Sequence, residues 1–185
     1  MKRSPNSLSR SPTRAARLRF LIVFGLICFV FVGIYQFPYA DRSWPLQIIG
    51  FCLRSYARVA GAVLALLDRT VSVSGVEITG RFPLKIVRSC DASEAMALVV
   101  AAILAFPATW RRRLVGIAAG VGAIFVVNVA RICGLYFIGV ARPDMFDFAH
   151  QDIWPLFVVA TAAVVFMGWA RWAQGTDSGR KTAAT

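Results

Sequence analysis

Charge is scarce in this sequence: Asp, Glu, Lys and Arg together make up 16% of it, and histidine occurs once. With 58% hydrophobic residues in a chain of 185, a water-soluble domain is excluded, because an ordinary domain carries far less apolar residue than this. Acid is scarcer than base, nine residues against 21, which leaves a net charge of +12. That excess does not mark a nucleic-acid partner, since no recognition-helix, RRM or zinc-finger pattern accompanies it. The basic residues instead flank apolar runs, as Arg14, Arg17, Arg19 and the triplet Arg111, Arg112, Arg113 do. Such flanks belong to the cytoplasmic ends of membrane spans. Cysteine is thin as well. Cys28, Cys52, Cys90 and Cys133 show no C-x-x-C spacing and form no metal-ligand pattern with the single histidine, so neither a disulfide framework nor a metal or other cofactor is expected.

Apolar runs are what the chain has in abundance, and they predict an all-α integral membrane protein in a lipid bilayer. Residues 1–19, rich in Ser, Pro and Arg, read as a disordered cytoplasmic tail. The run at 20–37 predicts a first span at about 20–38. A secretory signal peptide would have a shorter apolar core, and Pro38-Tyr-Ala40 is a poor cleavage site. Trp44–Leu67 is apolar but interrupted by Gln47, Arg54, Ser55 and Arg58, and positions 47, 54 and 58 share one helical face. It is either a span with its arginines facing a cavity or an amphipathic helix at the interface. Residues 70–87 alternate apolar and polar positions around Ser74-Gly75 and Gly80, the pattern of a small β segment outside the membrane, with Pro83 marking an edge strand. Further spans are expected at about 92–110, 114–140 and 153–173, followed by a second cytoplasmic tail at 174–185. The whole of 20–173 reads as one membrane-embedded domain.

Orientation favours the interfacial reading of 44–67. If the N-terminal tail is cytoplasmic and 44–67 does not cross, residues 41–90 stay outside and the arginine triplet returns to the cytoplasm. Four spans satisfy the charge rule where five would not. In this topology Cys90, Arg131 and His150 all fall on the outer side. Cys90 precedes the first turn of a helix, where the macrodipole favours a thiolate. Asp91 or Ser89 is placed to cap that helix, and Glu94 suits its first turn. Arg131 lies in the outer half of an apolar run, where the charge rule disfavours a merely snorkelling arginine. Asn128 is three residues earlier on the same face, placed to orient Arg131 or to bond a neighbouring helix. A thiol, a base and a fixed cation on one side of a membrane supply a nucleophile, a proton carrier and an oxyanion donor. By chemistry alone this ranks a cysteine transpeptidase or protease first.

The order Cys, then Asn-x-x-Arg, then His, each at a span edge, resembles the exosortase/archaeosortase membrane transpeptidases over roughly residues 85–173. The stretches Cys90-Asp-Ala-Ser-Glu-Ala-Met96, Ala105-Phe-Pro-Ala108 and Asn128-Val-Ala-Arg131-Ile132 most resemble the short subfamily called exosortase H. The sequence departs at one point: many relatives have glycine two residues after the cysteine, where this chain has Ala92. The resemblance implies Cys90 as nucleophile, Arg131 as oxyanion or substrate-orienting donor, and His150 as proton carrier. It implies acyl transfer through a thioester, on exported proteins that carry a C-terminal motif, an apolar helix and a basic end. The setting it implies is the bacterial inner membrane, with the site facing the periplasm or cell exterior. Two other classes remain open. A four-span thiol–quinone oxidoreductase would need a working pair, for which only Cys52 and Cys90 are candidates. A non-enzymatic scaffold would use Arg131, Asn128 and His150 only to join helices.

Overall fold

The computed structural model describes residues 14–40 and 43–182, with backbone alone for 176–182. Of the two expected tails, residues 1–13 and 183–185 lie outside the described residues. The inner parts of both are helical rather than disordered: α1 (Arg14–Gln36) already includes Arg14, Arg17 and Arg19, and the last helix runs to Thr182. At the N-terminal end Ala15, Ala16, Leu18 and the arginines among them have good propensity, so a helix fixed by the apolar run extends through them at little cost.

Helix α1 fully buries none of its side chains, as expected of a helix whose apolar stretch from Phe20 onward is largely solvated by lipid. Helix α2 (Trp44–Leu67) carries Pro45 in its first turn and buries Tyr56, Ala57, Ala60, Gly61 and Leu64 along one side. Three short strands follow, β1 (Ser72–Ser74), β2 (Glu77–Thr79) and β3 (Leu84–Lys85), an antiparallel meander in the order β1-β2-β3. Val73 faces Ile78 across the first pair and Leu84 faces Ile78 across the second. Gly75, at φ +62°, makes the first turn. A 3₁₀ turn (Arg88–Cys90) leads into α3 (Ser93–Ala105), and α4 (Trp110–Ala141) is the longest helix. A 3₁₀ turn (Pro143–Met145), the single-turn helix α5 (Phe146–Phe148) and a π-helical turn (Ala149–Ile153) connect it to α6 (Trp154–Thr182).

Among the described residues, four helical stretches are long and apolar enough to cross a membrane: Arg14–Gln36, Trp44–Leu67, Trp110–Ala141 and Pro143–Gly175. Four were expected, but the set differs, with Trp44–Leu67 included and the 92–110 segment broken. Helix α3 stops at Ala105 because Pro107 drives Phe106 into extended backbone. Thirteen helical residues rise about 20 Å, and the four residues to Thr109 add about 12 Å if extended. The helix alone is shorter than the hydrocarbon thickness of a bilayer.

Helix α3 is the centre of the bundle, packing on α1, α4 and α6. Its buried Ala95, Ala101 and Ala102 let neighbouring backbones approach. On α4, Gly116 and Gly120 leave room for Trp169 and Val99. Helices α4 and α6 run antiparallel. The Trp169 indole N–H donates to the Arg112 carbonyl at 2.9 Å, and the Arg112 guanidinium donates to the Ala173 carbonyl at 2.7 Å. Arg131 follows Arg112 by 19 residues, which is about 28 Å along the helix, close to one bilayer core. The arginine triplet and Arg131 therefore occupy opposite ends of the bundle.

Beyond Arg131 the last turns of α4 hold the sheet. The Tyr136 hydroxyl donates to Asp68 Oδ2 at 2.8 Å and accepts the Arg81 backbone N–H at 3.0 Å. The C-terminal end of α2 is tied to this same end of the molecule. Its C-terminal Asp68 is bonded to Tyr136, and its N-terminus follows α1 through a short linker. Around that linker Tyr39 N–H donates to Phe37 C=O and Ser43 N–H donates to Ala40 C=O. Tyr35, just before it, is bonded to Asp91 beside Cys90. From Asp68 helix α2 packs along α4, with Cys133 donating to the Ala60 carbonyl and the Tyr56 ring stacking on Phe125, centroids 4.9 Å apart. Its Arg54 and Arg58 are exposed, as are Ile48 and Phe51.

Candidate active site

The site is built where the 3₁₀ turn, α4 and the π-helical turn meet. The turn carries Cys90, which is 8% exposed, into contact with His150: Cys90 Sγ lies 3.4 Å from His150 Nε2. The two residues are 60 apart in the chain, so only the tertiary fold joins them. A π turn carries an extra residue relative to an α turn, and such turns re-aim side chains at sites. Here the turn Ala149–Ile153 presents His150 to the cysteine.

Two side chains of α4 hold this pair from below. Asn128, fully buried, donates from Nδ2 to the Cys90 carbonyl at 2.7 Å. Arg131, 5% exposed, donates from Nη2 to the His150 carbonyl at 3.3 Å. Its guanidinium interacts electrostatically with both the Cys90 thiol and the His150 ring, and Asp147 acts on the ring from the other sign. Arg131 is therefore turned inward rather than snorkelling. Its Nε and the Asn128 Oδ1 are buried without a hydrogen-bond partner among the described residues. A buried arginine N–H left open is costly, and it is a donor ready for an oxygen that arrives with a ligand.

The local backbone explains how Cys90 is presented. Asp91 Oδ1 accepts the Ser93 N–H at 2.9 Å, so Asp91 rather than Ser89 takes up a free amide at the start of α3. Between them Ala92 has φ +54° and ψ +20°, the left-handed region, and it is the one non-glycine residue of that kind among the described residues. This is the position where glycine is the residue free of strain. Asp91 Oδ2 also accepts the Tyr35 hydroxyl at 2.6 Å, and the Arg88 guanidinium sits 5.9 Å above the Tyr35 ring. The end of α1 is thereby fastened to the turn that carries the cysteine. Sequence reading missed Tyr35, because an aromatic residue near the end of an apolar run is the ordinary interfacial pattern.

A cavity of about 240 Å³ opens beside the pair, lined by Cys90, His150, Ile132, Leu135 and the backbone stretch from Phe82 to Val87. The Phe82 ring packs on Phe146 with centroids 5.2 Å apart, and Phe146 stacks on His150 at 5.8 Å. The sheet thus reaches the imidazole through one intervening ring. A second cavity of about 210 Å³, within the membrane half, is lined by apolar residues such as Phe24, Val99 and Phe166 and holds no reactive group. Cys28, Cys52 and Cys133 are free thiols away from this constellation, Cys133 donating instead to the Ala60 carbonyl.

All four residues picked out in the sequence, Cys90, Asn128, Arg131 and His150, are gathered at one end of the bundle, in mutual contact through the bonds above. Residues 8–175 match the family model described as transmembrane exosortase (Exosortase_EpsH). No curated protein and no solved structure matches the chain.

Proposed function

The chain belongs to the transmembrane exosortase family, and from that premise we propose that it is a membrane cysteine transpeptidase that cleaves the C-terminal sorting signal of exported proteins through a thioester. The observation that carries the proposal is the 3.4 Å approach of Cys90 Sγ to His150 Nε2 beside the inward-turned Arg131. In the proposed reaction His150 Nε2 takes the thiol proton as Sγ attacks a peptide carbonyl carbon. The oxygen becomes an anion, and the Arg131 guanidinium supplies positive charge and a free N–H for it. As the anion collapses, the C–N bond breaks and the leaving amine takes the proton from His150. The acyl group stays on Sγ as a thioester until an amine or water attacks it and restores the thiol. Asn128 positions the nucleophile by fixing the Cys90 carbonyl. No step requires a metal or organic cofactor.

The substrate class follows from the family and the position of the site. Cys90 lies at the membrane end opposite the arginine triplet, which the charge rule assigns to the cytoplasm. The site then faces the periplasm or cell exterior of a bacterial inner membrane, where the peptide flanking a C-terminal anchor helix emerges.

The test is a tagged reporter with a C-terminal motif, apolar helix and basic end, co-expressed with wild type or with Cys90→Ala, Cys90→Ser, Arg131→Ala or His150→Ala. Loss of the tail is read by gel mobility, with membrane levels of each variant as the folding control. Processing by wild type that is abolished in Cys90→Ala, at equal protein level, is the expected result. Processing that survives Cys90→Ala removes the nucleophile and leaves a scaffold role ahead.

A further inference from the structure

The sheet has two open edges, and only one of them borders the reactive pair. Strand β1 forms one edge and β3 the other, with β2 between them. The cavity that holds Cys90 and His150 takes its wall from Phe82 to Val87, which includes all of β3, and from no residue of β1. The register fixes which backbone groups of β3 are spoken for. The Ile86 N–H donates to the Val76 carbonyl at 2.9 Å, and Leu84 lies opposite Ile78, so residues 84 and 86 turn their amides toward β2. Lys85, between them, turns its N–H and C=O the other way, toward the open edge. Its side chain is drawn back over the sheet by Glu77, 3.3 Å away on β2, and does not cover that edge.

Any peptide attacked by Cys90 must place a carbonyl at Sγ while crossing a wall that is otherwise apolar. Its own backbone groups lose water there, and each needs a partner. The outward N–H and C=O of Lys85 are such partners, at the spacing an added strand requires. The apolar cavity then receives alternate side chains of that strand, which is how strand addition divides affinity from specificity.

We infer that β3 is the docking strand for the substrate: the extended segment next to the scissile bond pairs with the Lys85 edge as a fourth strand and so sets which carbonyl meets Cys90. This rests on the reading of Cys90 as nucleophile, but it concerns the backbone of a different element. It also gives the small sheet a role that its size does not suggest, because three short strands are too few to be a domain.

The experiment uses full-length protein in membranes, with Cys90→Ser and with alanine at positions 28, 52 and 133, so that the one thiol is introduced by Lys85→Cys. The probe is the tagged reporter described above, with single cysteines walked through its extended segment and disulfides formed by mild oxidation. The expected result is crosslinking that alternates with a period of two residues. In parallel, with Cys90 intact, Lys85→Pro removes the outward N–H, and Val73→Pro makes the matching change on the far edge. Processing by Lys85→Pro should fall about three- to tenfold below that by Val73→Pro, the worth of one backbone hydrogen bond. A smooth crosslinking profile together with equal processing by the two proline variants overturns strand docking and leaves the catalytic reading standing. Period-two crosslinking to a reporter that wild type never cleaves keeps strand docking and overturns the catalytic reading.

Discussion

Replacing Ala92 by glycine should make this protein more stable, against the usual effect of glycine near a helix. Ala92 sits at φ +54° and ψ +20° immediately before α3. An L-residue in that region carries a penalty of about 1–2 kcal/mol that glycine does not. Glycine in turn loses about 0.5–1 kcal/mol more backbone entropy on folding. The difference leaves a gain of about 0.5–1 kcal/mol, which for a chain of this size raises Tm by about 1–4 °C. The matched control is Ala101→Gly, in the interior of α3 and 0% exposed. There the same change forfeits helix propensity and a buried methyl, about 2 kcal/mol together, and should lower Tm by about 4–8 °C. Thermal unfolding of the three proteins, followed by circular dichroism in one detergent at one scan rate, measures both. If Ala92→Gly falls alongside Ala101→Gly, the left-handed turn is not a source of strain and the reasoning fails.

Tyr136→Phe deletes a hydroxyl that bonds both Asp68 and the Arg81 amide. It should cost about 1–3 kcal/mol and speed hydrogen exchange in β2 and β3 before it affects α3; uniform exchange changes would contradict the anchoring role. The Asp68 carboxyl is held below the usual carboxylate range, first by the Thr70 hydroxyl, then by the Thr70 amide and the Tyr136 hydroxyl. A depressed folded pKa means its stabilisation is complete above the unfolded value near 3.9 and is lost as pH falls through the folded value. Wild type should therefore lose sheet protection on acidification below about pH 4, and Asp68→Asn should remove that step while lowering protection at neutral pH. Asn128→Leu leaves the Cys90 carbonyl buried without its donor. Reporter processing should drop by at least about tenfold, the equivalent of one buried hydrogen bond to the backbone of Cys90, the proposed nucleophile, while Asn128→Asp retains less than wild type because a carboxylate cannot donate.

The four site residues were legible because each breaks a pattern. Cys90 and His150 stand at the edges of apolar runs, and Asn128 and Arg131 interrupt one, which a membrane helix tolerates only for a reason. The strands were legible from alternation alone. Helix ends were not: the apolar residues of 92–110 continue through Phe106 and Pro107, so hydropathy sees one run where backbone sterics impose a break. The fastening of α1 to the Cys90 turn by Tyr35 and Asp91 joins residues 56 apart through a single hydroxyl, and no periodicity encodes that. Asp68 and Tyr136, 68 apart, are the same case. The strain at Ala92 was half legible, since glycine was the residue expected there, but the sign of φ belongs to the folded backbone.

One rigid helix carries both the arginine triplet and Arg131, about 28 Å apart, and this makes the chemistry answerable to the lipid. A bilayer with longer or shorter acyl chains must meet α4 by tilting it or by deforming around it. Tilting moves Arg131 and Asn128 relative to the surface, and their bonds to the His150 and Cys90 carbonyls carry the pair with them. Acyl-chain length is thus a control variable for this site, and activity in vesicles of graded thickness should pass through a maximum.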